Sequence, residues 1–155
     1  VIETDGSNCM NMPVEALELE APARVHRMSL RTDSGGVGEF RGGLGCVREI
    51  EFLTDDIALT HRGERHRHAA RGSQGGGDGA KAFSKIIRRD GSEEVVNSKL
   101  FTIVHAGERL ILETAGGGGY GKSNNRDRQA IRDDVSNGKV SQQCANAEYG
   151  LGDVN

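Results

Sequence analysis

Thr114-Ala115-Gly116-Gly117-Gly118-Gly119-Tyr120-Gly121 divides this sequence into two unequal parts. The longer part, before it, mostly alternates with the period of strands, and the shorter part, after it, repeats with the period of helices. Four consecutive glycines have no side chain to bury and lose more backbone entropy on ordering than any other residue. A folded chain keeps them where it turns through positive φ, or where another segment approaches the bare backbone closely.

Downstream, in residues 127–138, Ile131 and Val135 lie four apart on one helical face, and Gly138 stands where a C-terminal cap belongs. Ser141 is placed to cap a second helix running through Tyr149, with Val140 and Ala145 as its hydrophobic staple and Gly150 as its stop. Upstream, the runs 100–104 and Arg109–Glu113 flank Ala106-Gly107, and residues 82–88 and 93–96 flank Asp90-Gly91, a dipeptide suited to a tight hairpin turn. These four runs predict a meander. Residues 45–53 and 57–61 predict a hairpin around Thr54-Asp55-Asp56, with Cys46, Ile50 and Phe52 on one side and Val47 and Leu53 on the other.

In residues 24–31, Val25, Arg27 and Ser29 face one way and His26, Met28 and Leu30 the other, giving a strand with one half-buried face. Val14-Glu15-Ala16-Leu17-Glu18-Leu19-Glu20 reads as a short helix with Pro13 at its first position and Pro22 as its stop. Two further Gly-rich loops lie between these elements. Residues 33–45 hold six glycines in thirteen positions, and Gly72-Ser73-Gln74-Gly75-Gly76-Gly77-Asp78-Gly79 comes after a basic run. The expected fold is mainly β, antiparallel sheets with Gly-rich loops, ending in a short helical tail. Residues 1–121 form the β-rich part and 122–155 the tail.

At 155 residues the chain has the length of one domain. Its start at Val1, with a polar segment in place of a basic and apolar leader, predicts a piece of a longer protein. Glycine, at 23 residues, is about twice its usual share, while proline is only 2, so the glycines read as ordered loops rather than a Pro/Gly linker. A net charge of -3 gives no reason to expect nucleic acid, and no apolar run approaches the roughly 20 residues of a membrane span. Cys9, Cys46 and Cys144 are odd in number and widely spaced, which points to a reducing cytoplasm rather than a disulfide framework. Cys46 and Cys144 read as small buried hydrophobes.

Three features carry candidate chemistry. Gly116, Gly117, Gly118 and Gly119 could cradle a phosphate with bare N–H groups, although the tract lacks the Lys-Ser/Thr ending of a P-loop and the spacing of a dinucleotide loop. The alternative is a turn leading out of the last strand. Arg62, Arg65, Arg67 and Arg71 interleave with His66 and His68, and guanidinium forks suit planar oxyanions. A solvated charged strand or a subunit interface explains the same residues. His61, His66 and His68 fall within eight positions, with His66 and His68 expected on one strand face. The intruding arginines make a poor setting for a cation, so no metal is assigned to this chain alone. Ser34, in Asp33-Ser34-Gly35-Gly36, sits in a tight turn but lacks a nucleophile elbow.

The loops in their order go further than any one of them. Residues 11–18, the run from Leu30 to Gly45, Arg62-Gly63-Glu64-Arg65, Gly75-Gly76-Gly77-Asp78-Gly79, the tract at 115–121, Arg126-Asp127 and Val140-Ser141 through Tyr149-Gly150 together resemble the C-terminal part of the hydantoinase B family. That family includes N-methylhydantoinase and caprolactamase beta subunits, the C-terminal half of 5-oxoprolinase, and related subunits of acetone and acetophenone carboxylases. The resemblance covers nearly the whole chain. It departs at Ala69-Ala70, where the family commonly carries Pro, and at Lys122-Ser123, where it commonly carries Asp-Pro.

The resemblance implies one part of a hetero-oligomer, made with the remainder of its own subunit and a hydantoinase A-like ATP-binding subunit. ATP with Mg would sit on that partner, and a divalent metal would be held by Asp and His residues toward the N-terminus of the full subunit. The implied activity is ATP-dependent opening of a cyclic amide through a phosphorylated amide, with ATP-dependent ketone carboxylation as the alternative. A purely structural assembly domain is the non-enzymatic reading. The Arg cluster and the Gly-rich loops would then supply cationic forks and backbone donors to a phosphorylated intermediate.

Overall fold

In the computed structural model of the chain, residues 12–152 are described. They build helix α1 (Val14–Glu20), strands β1 (Ala23–Leu30), β2 (Cys46–Phe52), β3 (Ile57–Arg62), β4 (Phe83–Ile87), β5 (Glu93–Val95), β6 (Lys99–Val104) and β7 (Arg109–Glu113), a 3-10 turn (Ser123–Asn125), and helices α2 (Arg128–Ser136) and α3 (Gln142–Tyr149). All strand pairing between these elements is antiparallel. Five strands form one sheet in the order β1-β2-β7-β4-β5, and β3 and β6 form a second sheet of two strands. The fold is mainly β with a helical C-terminal tail. Cys9 lies outside the described residues.

The core lies between the two sheets. Phe52, Ile86 and Leu110 from the larger sheet meet Val104 from β6 and Val96 beyond β5, with Ile57, Leu59, Leu100 and Leu112 packed at the margin. Burying each such side chain stabilises the fold by roughly 2 kcal/mol. The pairings Ile50↔Leu110 and Ile86↔Leu110 explain the layer, because residues opposite one another in antiparallel strands share a face.

Two sequence expectations about connection fail here for one reason. Residues 45–53 and 57–61 do not pair with each other, since β2 pairs β1 and β7 while β3 pairs β6. Likewise β6 and β7 are not neighbours, so the four-run meander reduces to one true hairpin, β4–β5, turning through Gly91 at φ 83°. Both chain reversals at 54–56 and 106–107 carry the chain from one sheet to the other. Turn residues announce a reversal but not whether the strands on either side hydrogen-bond. What fixes this corner is Glu108, buried to 4% exposure, which accepts from Arg88 Nη1 at 2.9 Å and from the His105 amide at 3.1 Å.

The alternation predicted for β1 is also broken. A β-bulge between Val25 and Arg27 shifts the register, so that Val25 pairs Ile50 and Met28 pairs Arg48. Met28 thereby joins Val25 on one face, and the two line an apolar groove with Leu17 of α1. Pro13 is the N-cap of α1 rather than its first helical residue.

The tail follows its predicted signals at Gly138, Ser141 and Gly150. Asp127, not singled out from the sequence as a cap, accepts from the Ala130 amide to cap α2, Gly138 at φ 65° ends it, and the Lys139 amide closes back on the Asp134 carbonyl at 2.8 Å. Ser141 accepts from the Cys144 amide to cap α3, and Val140 and Ala145 meet in a second core with Ile131 and Tyr149. Val37, from the first Gly-rich loop, packs against that core. Cys46 and Cys144 are half-buried rather than fully buried.

Candidate functional site

The glycine tract is resolved in favour of close approach. None of Gly116 to Gly119 has positive φ. Instead a Cβ added to Gly116 would overlap the Ser34 carbonyl, one on Gly118 would overlap the Arg71 carbonyl, and one on Gly119 the Val37 carbonyl. The three Gly-rich loops lie side by side, backbone against backbone. Gly117 donates to Gly43 O at 2.8 Å and accepts from Gly36 N at 2.8 Å, Gly119 donates to Gly77 O at 2.9 Å, and Gly116 donates to Ala80 O at 3.0 Å. Three of the four amides that could have cradled a phosphate are thus engaged within the stack. Ser34 belongs to the same construction. Its hydroxyl donates to Arg31 O at 2.5 Å and accepts from Gly45 N at 2.9 Å, and the residue is buried to 1%, so it pins the turn instead of facing a substrate.

Seven arginines of the framework meet protein acceptors. Arg31 faces Glu113, Arg88 faces Glu94 and Glu108, Arg89 faces Asp55, Arg109 faces Glu49, Arg41 and Arg126 share Asp134, and Arg128 bonds the carbonyls of Tyr149 and Gly150. Glu108 and Asp134 are the most enclosed of these carboxylates, at 4% and 5% exposure, and Asp134 takes two arginines. Burial works against its charge, and the hydrogen bonds and charges of Arg41 and Arg126 more than offset that, holding it below the usual carboxylate range.

The loop between β3 and β4 is different. Arg62, Arg67 and Arg71 are exposed and meet no carboxylate among the described residues, and the Arg65 guanidinium bonds the Ala69 carbonyl, at 3.3 Å. Arg65 and Arg67 line a cleft of about 450 Å³ together with Glu64, His66, His68 and Ser98. Arg62 lines an adjoining, shallower cleft with His61, Glu64 and Lys99. Arg65 also holds a left-handed backbone at φ 60°. That conformation costs a side chain with a Cβ on the order of 1 kcal/mol, and such strain gathers at functional sites.

The expectation that His66 and His68 share a strand face is not met, because residues 63–72 form a loop. His66 turns inward and His68 outward. What the structure brings together is His61 with His66, ring centroids 5.6 Å apart and edge to face, both against Ser84. His66 Nε2 lies 3.2 Å and His61 Nε2 3.4 Å from Ser84 Oγ. Burial and the neighbouring His66 hold His61 below its ordinary pKa. Sequence reading passed over Ser84, although a hydroxyl alternating with Ile86 on the core-facing side of β4 was a usable signal, since buried polar groups need partners. Among the described residues, no group of three or more His, Cys, Asp or Glu is placed to hold a metal ion, and no helix is long and apolar enough to cross a membrane.

Comparison with known proteins gives this geometry a family. The hydantoinase B/oxoprolinase family profile matches residues 1–123. Over 146 residues the chain is 37% identical to the caprolactamase subunit beta of Pseudomonas jessenii, covering 92% of this chain and 25% of that protein. It is 38% identical over 109 residues to 5-oxoprolinase 1 of Arabidopsis thaliana, covering 70% of this chain and 8% of that one. The crystal structure of the ATP-dependent caprolactamase from Pseudomonas jessenii superposes with a TM-score of 0.77 at 34% identity, over 96% of this chain and 26% of its own. A nucleotide-free acetone carboxylase shares the fold with a TM-score of 0.78 at 20% identity, over 90% of this chain and 23% of its own. The chain therefore spans about a quarter or less of the length of these relatives. On the extent of the profile match and the identity to the beta subunit, the chain belongs to the hydantoinase B/oxoprolinase family.

Proposed function

We propose that this chain is the C-terminal part of the beta subunit of an ATP-dependent cyclic-amide hydrolase in the cytoplasm, and that its Arg62, Arg65 and Arg67 bind the oxyanion of a phosphorylated amide or the phosphate that leaves it. The observation that supports this reading best is the cleft itself. In a molecule where the buried and half-buried arginines are paired, this cluster presents guanidinium groups that make no ion pair among the described residues, Arg65 and Arg67 beside a cavity of about 450 Å³ that Glu64 also lines. Unpaired forks of this kind match planar or tetrahedral oxyanions in bidentate fashion. Gly116 to Gly119 contribute to the site as the platform that holds the loop at 71–72, rather than as donors to the ligand.

ATP with Mg would be held by a hydantoinase A-like partner, and a divalent metal by the remainder of this subunit. Residues 1–121 and 122–155 act as one unit in this reading, joined through the Arg41–Asp134–Arg126 bridge. The fold shared with acetone carboxylase supports a second reading, an ATP-dependent ketone carboxylase subunit.

The intact complex separates them. ATP-dependent release of a ring-opened acid from a lactam or hydantoin is expected, whereas clear incorporation of labelled bicarbonate into a ketone, without any ring opening, replaces the first reading by the second. Arg65→Ala is expected to lower turnover by about 10-fold or more while the complex stays assembled. Loss of assembly with unchanged chemistry per complex makes the region a structural domain instead.

A further inference from the structure

The two sheets have four outer edges, β1, β5, β3 and β6, and three of them are guarded. An open edge strand is a template for another strand, so folded chains blunt it with a bulge, with charges, by shortness or by a covering group. β1 carries the bulge between Val25 and Arg27, and its Val25 amide donates to Glu18 Oε1 at 2.8 Å. β5 is three residues long, two of them glutamates. On β6 the Ile103 carbonyl accepts from Arg88 Nη1 at 3.3 Å. β3 has none of these devices. The Gly63 amide donates to Ser98 O at 2.7 Å, which makes Gly63 and Ser98 a bonded pair just beyond the β3–β6 ladder. Bonded and non-bonded pairs alternate along an antiparallel ladder, so Arg62↔Lys99, Thr60↔Phe101 and Ala58↔Ile103 are the non-bonded ones. The amides and carbonyls of Ala58, Thr60 and Arg62 therefore point away from β6. All three residues are exposed, and among the described residues none of these backbone groups has a partner.

We propose that β3 pairs along this edge with an extended segment from the remainder of its own subunit, which turns the two-stranded sheet into one of three or more strands. Two strands alone make a marginal sheet in water, and a third with an apolar face makes it stable. The surroundings fit a sheet that continues. Ile57 and Leu59, on the inward side of β3, are only half-buried at the margin of the core, while Phe101 and Ile103, on the outward side of β6, are 68% and 40% exposed. A segment that runs extended along β3 and is apolar toward Ile57 and Leu59 closes the core there, with main-chain bonds giving affinity and alternate side chains giving selectivity. Length points to the source. The caprolactamase crystal structure matches 96% of this chain and only 26% of its own, and the caprolactamase subunit beta is matched over 25% of its length. In a subunit of that length this chain is the minor part of one polypeptide, so the added strand comes from the same chain. Pairing engages the backbone of Arg62 and leaves its guanidinium to the cleft.

Amide hydrogen exchange at single-residue resolution tests the pairing on the full-length subunit, first alone and then with its hydantoinase A-like partner. The Leu59 and His61 amides, which bond to β6, are the internal standard. The amides of Ala58, Thr60 and Arg62 are expected to exchange within about 10-fold of that standard in the subunit alone, at every protein concentration. Exchange there about 100-fold or more faster than at Leu59 and His61 means an open edge and overturns the proposal. Protection that appears only with the partner subunit, or that is lost on dilution, gives the edge to that subunit or to a second copy and overturns it equally. Thr60→Pro is an independent check, because the lost N–H points away from β6 and proline is tolerated on an edge that faces solvent. Its denaturant midpoint in the full-length subunit is expected to fall well below that of Thr60→Ala, which keeps the N–H, and equal midpoints overturn the pairing. Neither readout depends on turnover, so a subunit with a protected edge and no ring-opening activity counts against the hydrolase reading alone.

Discussion

The glycine stack and the Arg/His cleft are built from adjoining segments, and they treat polar groups in opposite ways. In the stack, amides and carbonyls from three loops satisfy one another, and the Ser34 hydroxyl is used twice. In the tail beside it, Asp134 takes two arginines. A few residues away, Arg62, Arg67 and Arg71 find no carboxylate among the described residues, and Arg65 sits in a strained backbone. Interiors pair their polar groups because an unpaired one costs on the order of 1–3 kcal/mol. The stack, and Asp134 in the tail, meet that rule within the chain, while the arginines of the cleft are exposed and turn their guanidinium groups to whatever solvent or ligand lies outside.

The largest expected effect tests the stack. Gly116→Ala sets a methyl group against the Ser34 carbonyl, in a place where backbone rather than a flexible side chain must yield, and is expected to cost at least about 3 kcal/mol or abolish folding. Gly91→Ala is the control, because only its φ of 83° is strained and nothing lies within 4 Å, so about 1 kcal/mol is expected. Denaturant midpoints measure both. Equal costs would mean that the stack is no tighter than an ordinary turn.

Next comes the contrast between the two kinds of arginine. Arg41→Ala leaves Asp134, whose side chain is 7% exposed, short of the guanidinium fork that makes two bonds to it, and should cost roughly 3 kcal/mol in stability. Arg65→Gly should do the reverse. Glycine accepts φ 60° freely, so stability is expected to rise by about 0.5–1 kcal/mol while turnover of the complex falls. A variant that is both more stable and less active is the signature of strain kept for function. If Arg65→Gly unfolds the chain, the cleft is part of the frame after all.

Most of the helical tail was legible because its signals are local: Gly138, Ser141 and Gly150 each act within one turn of where they stand, as does the Asp127 cap that the sequence reading did not single out. The sheet pairing was legible only as far as the Asp90-Gly91 hairpin. Which of β2, β3, β6 and β7 lie side by side depends on the long-range match of Phe52, Ile86, Val104 and Leu110 in one core, and no turn residue encodes that. The bulge at His26 was invisible for the same reason, since it adjusts β1 to its partner and not to its own sequence. In the site, the Arg run was conspicuous as composition. The His61–Ser84–His66 contact was not, because it joins β3, a loop and β4 across 23 positions.

Acid should separate the two regions by pH, with the smallest effect of the set. Both His61 and Asp134 have lowered pKa values in the folded chain, so each binds its proton more readily when unfolded, and each contribution to stability is lost as pH falls. The windows differ. For His61 the contribution is complete above the ordinary histidine value of 6.5 and declines below it, whereas for Asp134 it is complete above 3.8 and declines only below that. Between those limits the base of the cleft should loosen while the tail holds. Backbone hydrogen exchange, corrected for its intrinsic pH dependence, is expected to rise at residues 61–66 and 84 as pH falls from 6.5 toward 5, with α2 and α3 protected until pH approaches 4. His61→Gln should flatten the first change and leave the second. Simultaneous loss of protection in both regions would show that cleft and frame are one cooperative unit, and the open chemistry of the cleft would then have no separate physical basis in the fold.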